Sequence, residues 1–292
     1  MRFADIGQQL RAYRLESGLR AEEIAARLGV SRAALYRYEK GEVIKLDTIR
    51  RLAELLQISP LSLLGIGVEY FSRPLALQER LRQVEEGADQ ILQLGGPLCY
   101  LVTTDAHDGA LAEAFTEAAD ASPERLAARA AADQALGLLA ARKRLYQSRR
   151  PSIIAMIGET SLRALLAEGV APGLSVSDRT RNRCRLAARS EAENIANLME
   201  SVPMGLQLGL LTGPEPSGDF IVLRGRERAH LCATPFRPDA PPIGSLGVGT
   251  ITAADEAVAI HQRVAESAWR DVLKGAEAAA RVRLLLAETA IH

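Results

Sequence analysis

The chain has 292 residues, 48% hydrophobic and 25% charged, with 36 Lys+Arg balanced by 36 Asp+Glu. At roughly 100 to 200 residues per domain this length allows about two domains, and the composition excludes a disordered chain or one coated in basic charge. Cys99, Cys184 and Cys232 are odd in number and widely spaced with no paired C-x-x-C, which argues against a disulfide framework and against a zinc knuckle.

Aromatic residues make up only 4%, and alanine and leucine crowd the middle and end of the chain, so more helix than strand is expected. Met1 is followed by Arg2, Asp5 and Gln8 rather than by a basic patch and an apolar run. No stretch approaches about 18 uninterrupted apolar residues. The expectation is a cytoplasmic, nucleoid-associated protein without membrane contact.

In chain order, Ile6, Leu10 and Tyr13 mark the apolar stripe of a first helix. Ile24 and Leu28 give a second helix its apolar face, Gly29 permits a sharp turn, Val30 fills the angle, and Ser31 caps a third helix. On that third helix Leu35 and Tyr38 share one side, leaving Arg32, Ala33, Tyr36 and Arg37 toward the other. Leu46, Ile49, Leu52, Leu55 and Leu56 form a further stripe, so that five small helices are complete by Leu64. Residues 1–66 carry 11 Lys+Arg and 8 Asp+Glu, a net of +3 inside a neutral chain. A small basic face of this kind is the footprint of phosphate contact.

A linker is expected over 67–73, with residues 74–292 forming a second unit. A helix starts near Ser72 and Pro74 and carries Leu75, Leu77, Leu81, Val84 and Ile91. Ser122-Pro123 opens a long helix toward Tyr146, Ser152 to Met156 reads as a buried strand, and a helix spans Arg179 to Ser201. Three short apolar runs, Met204 to Leu211, Phe220 to Leu223 and Ala229 to Ala233, read as an antiparallel meander. Thr252 with Asp255 predicts a capping box for a helix with Ile260, Val264, Ala268 and Val272 on one face, stopped by Gly275. One more amphipathic helix closes the chain. The fold expected is mainly α with an α/β part containing a small antiparallel sheet.

The segment LRAYRLESGLRAEEIAARLGVS, the RYEKG at Arg37 to Gly41 and LDTIRRLAELLQIS from Leu46 to Ser59 resemble the lambda-repressor-like, Cro-type helix-turn-helix, the XRE family, over about residues 4–64. The resemblance implies a sequence-specific regulator that binds double-stranded DNA. Mapped onto the family's pattern, Arg32, Ala33, Tyr36 and Arg37 face the bases, while Arg20, Ser31, Lys40 and Lys45 face the backbone. Arg is the side chain best shaped for the guanine edge, and Ala33 suits a thymine methyl. Where family members often carry Ser-Gln at the start of the second helix, this chain has Arg20-Ala21, which leaves charge from Arg20 in place of one anchoring hydrogen bond. Single units of this kind make few contacts, so a homodimer on an inverted repeat, with half-sites about 34 Å apart, is expected.

Beyond residue 100 the order of elements is similar to an uncharacterised regulatory domain that follows this helix-turn-helix in many actinobacterial regulators. The likeness rests on Tyr100 to Thr104, Ile153 to Leu165, Ala192 to Leu198 and the strands from Met204 to Ala233. It implies a small-molecule or protein effector; an alternative is an antitoxin-like or adaptor protein whose C-terminal domain binds a partner protein.

Candidate chemistry there is sparse. Asp105, His107 and Asp108 lie close together, and His230 and Cys232 lie two apart, but each is an incomplete metal set. Cys99 and Cys232 are candidate thiol sensors, and Glu159 sits between a strand and a helix, where α/β proteins often bind ligands. G-x-x-x-x-G-K-[ST], G-x-S-x-G and H-E-x-x-H are all missing, so no catalytic activity, metal or cofactor is expected.

Overall fold

A computed structural model describes residues 3–64, 67–216, 218–242 and 244–289, with the side chains from Ile6 onward. Five helices open the chain: α1 (Phe3–Ser17), α2 (Ala21–Leu28), α3 (Arg32–Glu39), α4 (Leu46–Leu56) and α5 (Pro60–Leu63). Ile6, Leu10, Tyr13, Ile24, Leu28, Leu35, Ile49 and Leu52 are buried together, as their spacing predicts. Leu46 departs from that stripe: at the first residue of α4 it lies beyond the core and is exposed.

Local chemistry fixes the bend between α2 and α3. Gly29 adopts φ 71°, a left-handed conformation that costs a residue with a Cβ, and Ser31 Oγ accepts from the backbone N–H of Ala34 at 3.1 Å. Close packing fixes α1 against α3, where a Cβ on Gly7 would fall 2.4 Å from the Tyr38 carbonyl oxygen.

The rest of the chain adds β1 (Val68–Phe71), α6 (Pro74–Glu85), β2 (Ala88–Leu94), a 3-10 turn at Tyr100–Val102, α7 (Asp105–Asp120), α8 (Arg125–Arg149), β3 (Ser152–Gly158), α9 (Glu159–Glu168) and α10 (Asp178–Ser201). It continues with β4 (Leu206–Leu211), β5 (Asp219–Gly225), β6 (Ala229–Thr234), β7 (Gly249–Thr252), α11 (Asp255–Asp271), β8 (Leu273–Lys274) and α12 (Gly275–Glu288). Among the described residues the eight strands form one sheet in the order β1-β7-β6-β5-β2-β3-β4-β8. β2, β3 and β4 run parallel, joined by helical crossovers, and all other pairs are antiparallel.

Several elements differ from the sequence reading. β4 does not belong to a meander: Leu206 to Leu211 pairs in parallel with Ile153 to Gly158, while only β5 and β6 make the expected hairpin. From Leu208 to Leu211 β4 is buried on both faces, and such a short apolar run carries no information about its partner. Ile91 lies in β2 rather than on the helix that carries Leu77, Leu81 and Val84.

At α11, Thr252 ends β7 and its Oγ1 accepts from Ala254 N, so Ala254 takes the cap position without a side-chain cap. The inward stripe of α11 runs through Val258, His261, Ala265 and Trp269, and Ile260 and Val264 face outward. Gly275 opens α12 rather than stopping α11, because β8 intervenes.

α11 covers one face of the sheet with a small core around Met156, Phe220 and Val222. The other helices pack on the opposite face in a core that continues without a break into the N-terminal helices.

The expected linker holds part of that junction. Residues 68–71 form the edge strand β1, paired with β7, and the Glu16 carboxylate accepts from Ser72 N at 2.7 Å and Arg73 N at 3.0 Å. The Tyr13 and Phe71 rings stack with centroids 5.6 Å apart. α1 lies along α6, where Arg11 pairs with the buried Glu79 at 3.2 Å. Among the described residues no helix is long and apolar enough to cross a membrane.

Candidate nucleic-acid interface

The third helix presents two contrasting sides. Leu35 is fully buried and Tyr38 packs against the core, which turns Arg32, Ala33, Tyr36 and Arg37 outward, all four exposed. Ser31, Lys40 and Lys45 lie exposed around the same helix, at its cap, at its C-terminal end and just before α4; Arg20, also exposed, precedes α2. The eight residues named from the sequence therefore all lie on the surface, and six of them lie on α3 or at its ends.

The exposed arginines are held by neighbours, of which the sequence reading singled out Tyr36 but neither Glu22 nor Glu42. Arg32 Nη1 lies 2.8 Å from Glu22 Oε1, its Nη2 donates to Tyr36 Oη at 3.1 Å, and its guanidinium stands 5.3 Å from the Tyr36 ring centroid. The Tyr36 hydrogen bond, followed by the Glu22 charge, raises the Arg32 pKa and keeps it cationic. Arg37 Nε lies 3.2 Å from Glu42 Oε2. Such exposed pairs are weak and screened by salt, so a phosphate or a base edge can displace the carboxylates. Glu22 stands in the first turn of α2 and Glu42 just beyond the end of α3.

Ser31, Arg20 and the C-terminal end of α3 are also held by local contacts. Ser31 Oγ is engaged as acceptor by the Ala34 N–H, which leaves its hydroxyl hydrogen for a phosphate oxygen. Glu23 accepts from Arg20 N at 2.8 Å and so fixes the start of α2. Arg14 grips Glu39 through Nε at 2.6 Å and Nη2 at 3.1 Å, which ties the C-terminal end of α3 to α1.

Residues 5–63 match the family model described as a helix-turn-helix domain. The N-terminal domain is a DNA-binding helix-turn-helix. In this domain α2 and α3 are the two helices of the motif, Gly29 to Ser31 the turn, and α1, α4 and α5 the support. Comparisons with curated proteins and with solved structures gave no match.

The other candidates from the sequence are occupied structurally. The Glu159 carboxylate accepts from Arg281 Nε at 2.9 Å and from Arg163 Nη2 at 3.1 Å, and the Arg281 hydrogen bond holds its pKa below the usual range. Asp108 accepts from Lys143 Nζ at 2.6 Å and lies 3.3 Å from His107 Nδ1. Among the described residues no group of three or more His, Cys, Asp or Glu side chains is placed to hold a metal ion. Cys99 and Cys232 are buried, and burial pushes both thiols up to about 12, the opposite of a reactive thiolate.

Proposed function

We propose that this protein is a sequence-specific transcriptional regulator that binds an inverted-repeat operator as a homodimer and carries a signal-sensing domain in residues 74–292. The observation that supports it best is the exposed face of α3, where two arginines, an alanine and a tyrosine stand clear of a fully buried Leu35. Arg32 and Arg37 are placed to read guanine edges, Ala33 and Tyr36 to pack on base edges, and Arg20, Ser31, Lys40 and Lys45 to fix the register on phosphates.

The C-terminal unit supplies a means of control. Because α1 packs along α6 and β1 follows directly, the direction in which α3 points is set by the larger domain rather than by a flexible tether. In a dimer, a signal that shifts α6 changes the separation of the two recognition helices, and operator affinity follows from the population that matches the half-site spacing.

Genome-wide mapping of DNA bound by the intact protein, with the Arg32→Ala/Arg37→Ala double variant as control, tests the reading. A shared inverted repeat near promoters that is lost in the variant supports it. Equal enrichment in both removes α3 as the working surface.

A further inference from the structure

On the sheet face opposite α11, at the C-terminal end of β2, a partly open cavity of about 80 Å³ lies between α6, α8 and the loops that follow β2 and β6. One water needs about 10 to 15 Å³, and a cavity of about 150 Å³ encloses a benzene ring, so this space takes a few heavy atoms rather than a ring. Its walls are mainly apolar, with Leu81, Leu98, Ile221 and Phe236 among them.

The charged groups in the wall decide what chemistry fits. Arg142 is buried and fully engaged: it grips Glu85 through Nε at 2.9 Å and Nη2 at 2.7 Å, and donates from Nη1 to Gln78 Oε1 at 2.5 Å. Arg237 is engaged in the same way by Asp239, at 2.9 and 2.7 Å. Each cation in the wall thus has its own carboxylate.

Asp219, at the first residue of β5, is the carboxylate left over. It leans over Gly95 and Gly96, accepts the Gly96 backbone N–H, and forms no ion pair among the described residues. Burial raises its pKa, and the Glu215 charge adds to this, against the opposing pull of the Gly96 N–H and of Arg237, which is itself gripped by Asp239. A bound anion would find no free cation here, and a neutral apolar molecule would desolvate Asp219 further. A cation relieves it.

We infer that this cavity is the effector site of the regulator and that it takes a small primary amine with a short aliphatic body, its ammonium on Asp219. The effector role rests on the regulatory reading above; the ligand site does not. The link to DNA is α6, whose Gln78, Leu81 and Glu85 line the cavity, while Glu79 and Glu86 on its neighbouring stripe meet Arg11 and Gln8 of α1.

Propylamine is the probe, with propanol and propionate as matched neutral and anionic controls, titrated into the full chain while the Gly96 amide shift is followed by NMR. Saturation with a Kd of about 0.1 to 1 mM is expected for the amine, with both controls at least about tenfold weaker. Asp219→Asn is expected to abolish the preference for the amine, and Leu98→Trp to fill the cavity and remove binding, with both variants melting cooperatively.

Equal binding of all three compounds, no saturation by the amine, or full binding by Asp219→Asn overturns the site. Operator affinity, measured by anisotropy on a fragment recovered by the mapping, is expected to change at least about threefold with saturating amine. Asp219-dependent binding that leaves operator affinity unchanged overturns the effector role alone. Failure to bind any fragment specifically, with or without amine, defeats the regulatory reading and the effector role with it, while the titration still decides the site.

Discussion

Glu69 on the edge strand and Arg80 in α6 form a two-point ion pair, with Nε to Oε2 at 2.7 Å and Nη2 to Oε1 at 2.9 Å, and with both side chains almost wholly removed from solvent. Gln9 of α1 adds a third contact, 3.4 Å from Glu69 Oε1. The pair therefore stands where the DNA-binding helices meet the larger domain.

Removing one partner leaves an uncompensated charge in a buried site. Glu69→Ala is expected to lower the stability of the full chain by about 3 to 5 kcal/mol. Urea unfolding checks this, and a loss no larger than that of an exposed-pair control such as Asp47→Ala would show the junction to be wet.

The two ends of α3 are expected to behave differently. Arg37→Ala should reduce discrimination at one or two operator positions, worth about 1 to 3 kcal/mol per base contact, whereas Lys40→Ala should weaken all sequences alike and lower the salt slope by about one unit. Competition binding over a salt series separates the two; identical profiles for both variants would refute the assignment.

The α1–α3 contact leaves no room for a methyl group. Gly7→Ala places a Cβ 2.4 Å from the Tyr38 carbonyl oxygen and 2.7 Å from the Gly41 backbone nitrogen, both backbone atoms that cannot swing aside. Overpacking of this kind costs about 1 to 3 kcal/mol, and thermal melting of the variant measures it.

Asp219 gives a pH dependence of unusual sign for a carboxylate. Burial raises its pKa in the folded state above the ordinary 3.8, so the native chain holds its proton more tightly than the unfolded one. Its contribution is then most favourable below about pH 4 and is lost as pH rises through the folded-state value. Asp219→Asn should therefore make the ligand-free protein more stable at pH 7 and flatten this part of the stability profile, as followed by denaturant titration across pH.

The helix-turn-helix was legible because its determinants are local. Gly29, Ser31 and Leu35 define a turn, a cap and a buried face within seven residues, and the structure places each as read. The sheet was less legible because its pairings span long separations: Phe71 meets Gly249, and Ile153 meets Leu206. Nothing in the local pattern of β4 distinguishes a parallel neighbour from a hairpin partner. At α11 a four-residue spacing through Ile260 and Val264 drifts off the 3.6-residue period, and the inward stripe two residues earlier, at Val258, was missed. Asp219 was invisible as a site residue, since its lack of an ion-pair partner depends on arginines in α8 and in the loop after β6 that grip Glu85 and Asp239 instead.

The unbroken core between α1 and α6 bears on how this DNA-binding head can be exchanged among proteins. A head cut after residue 66 would carry Tyr13 away from Phe71 and expose the side of α1 that α6 covers. A transplant that keeps residues 1–85 together retains α1, β1 and α6 as a unit, though β1 would then need a new neighbour in place of β7. Portability in this architecture thus ends past the sixth helix, and the exposed face of α3 travels with the helix that lines the cavity.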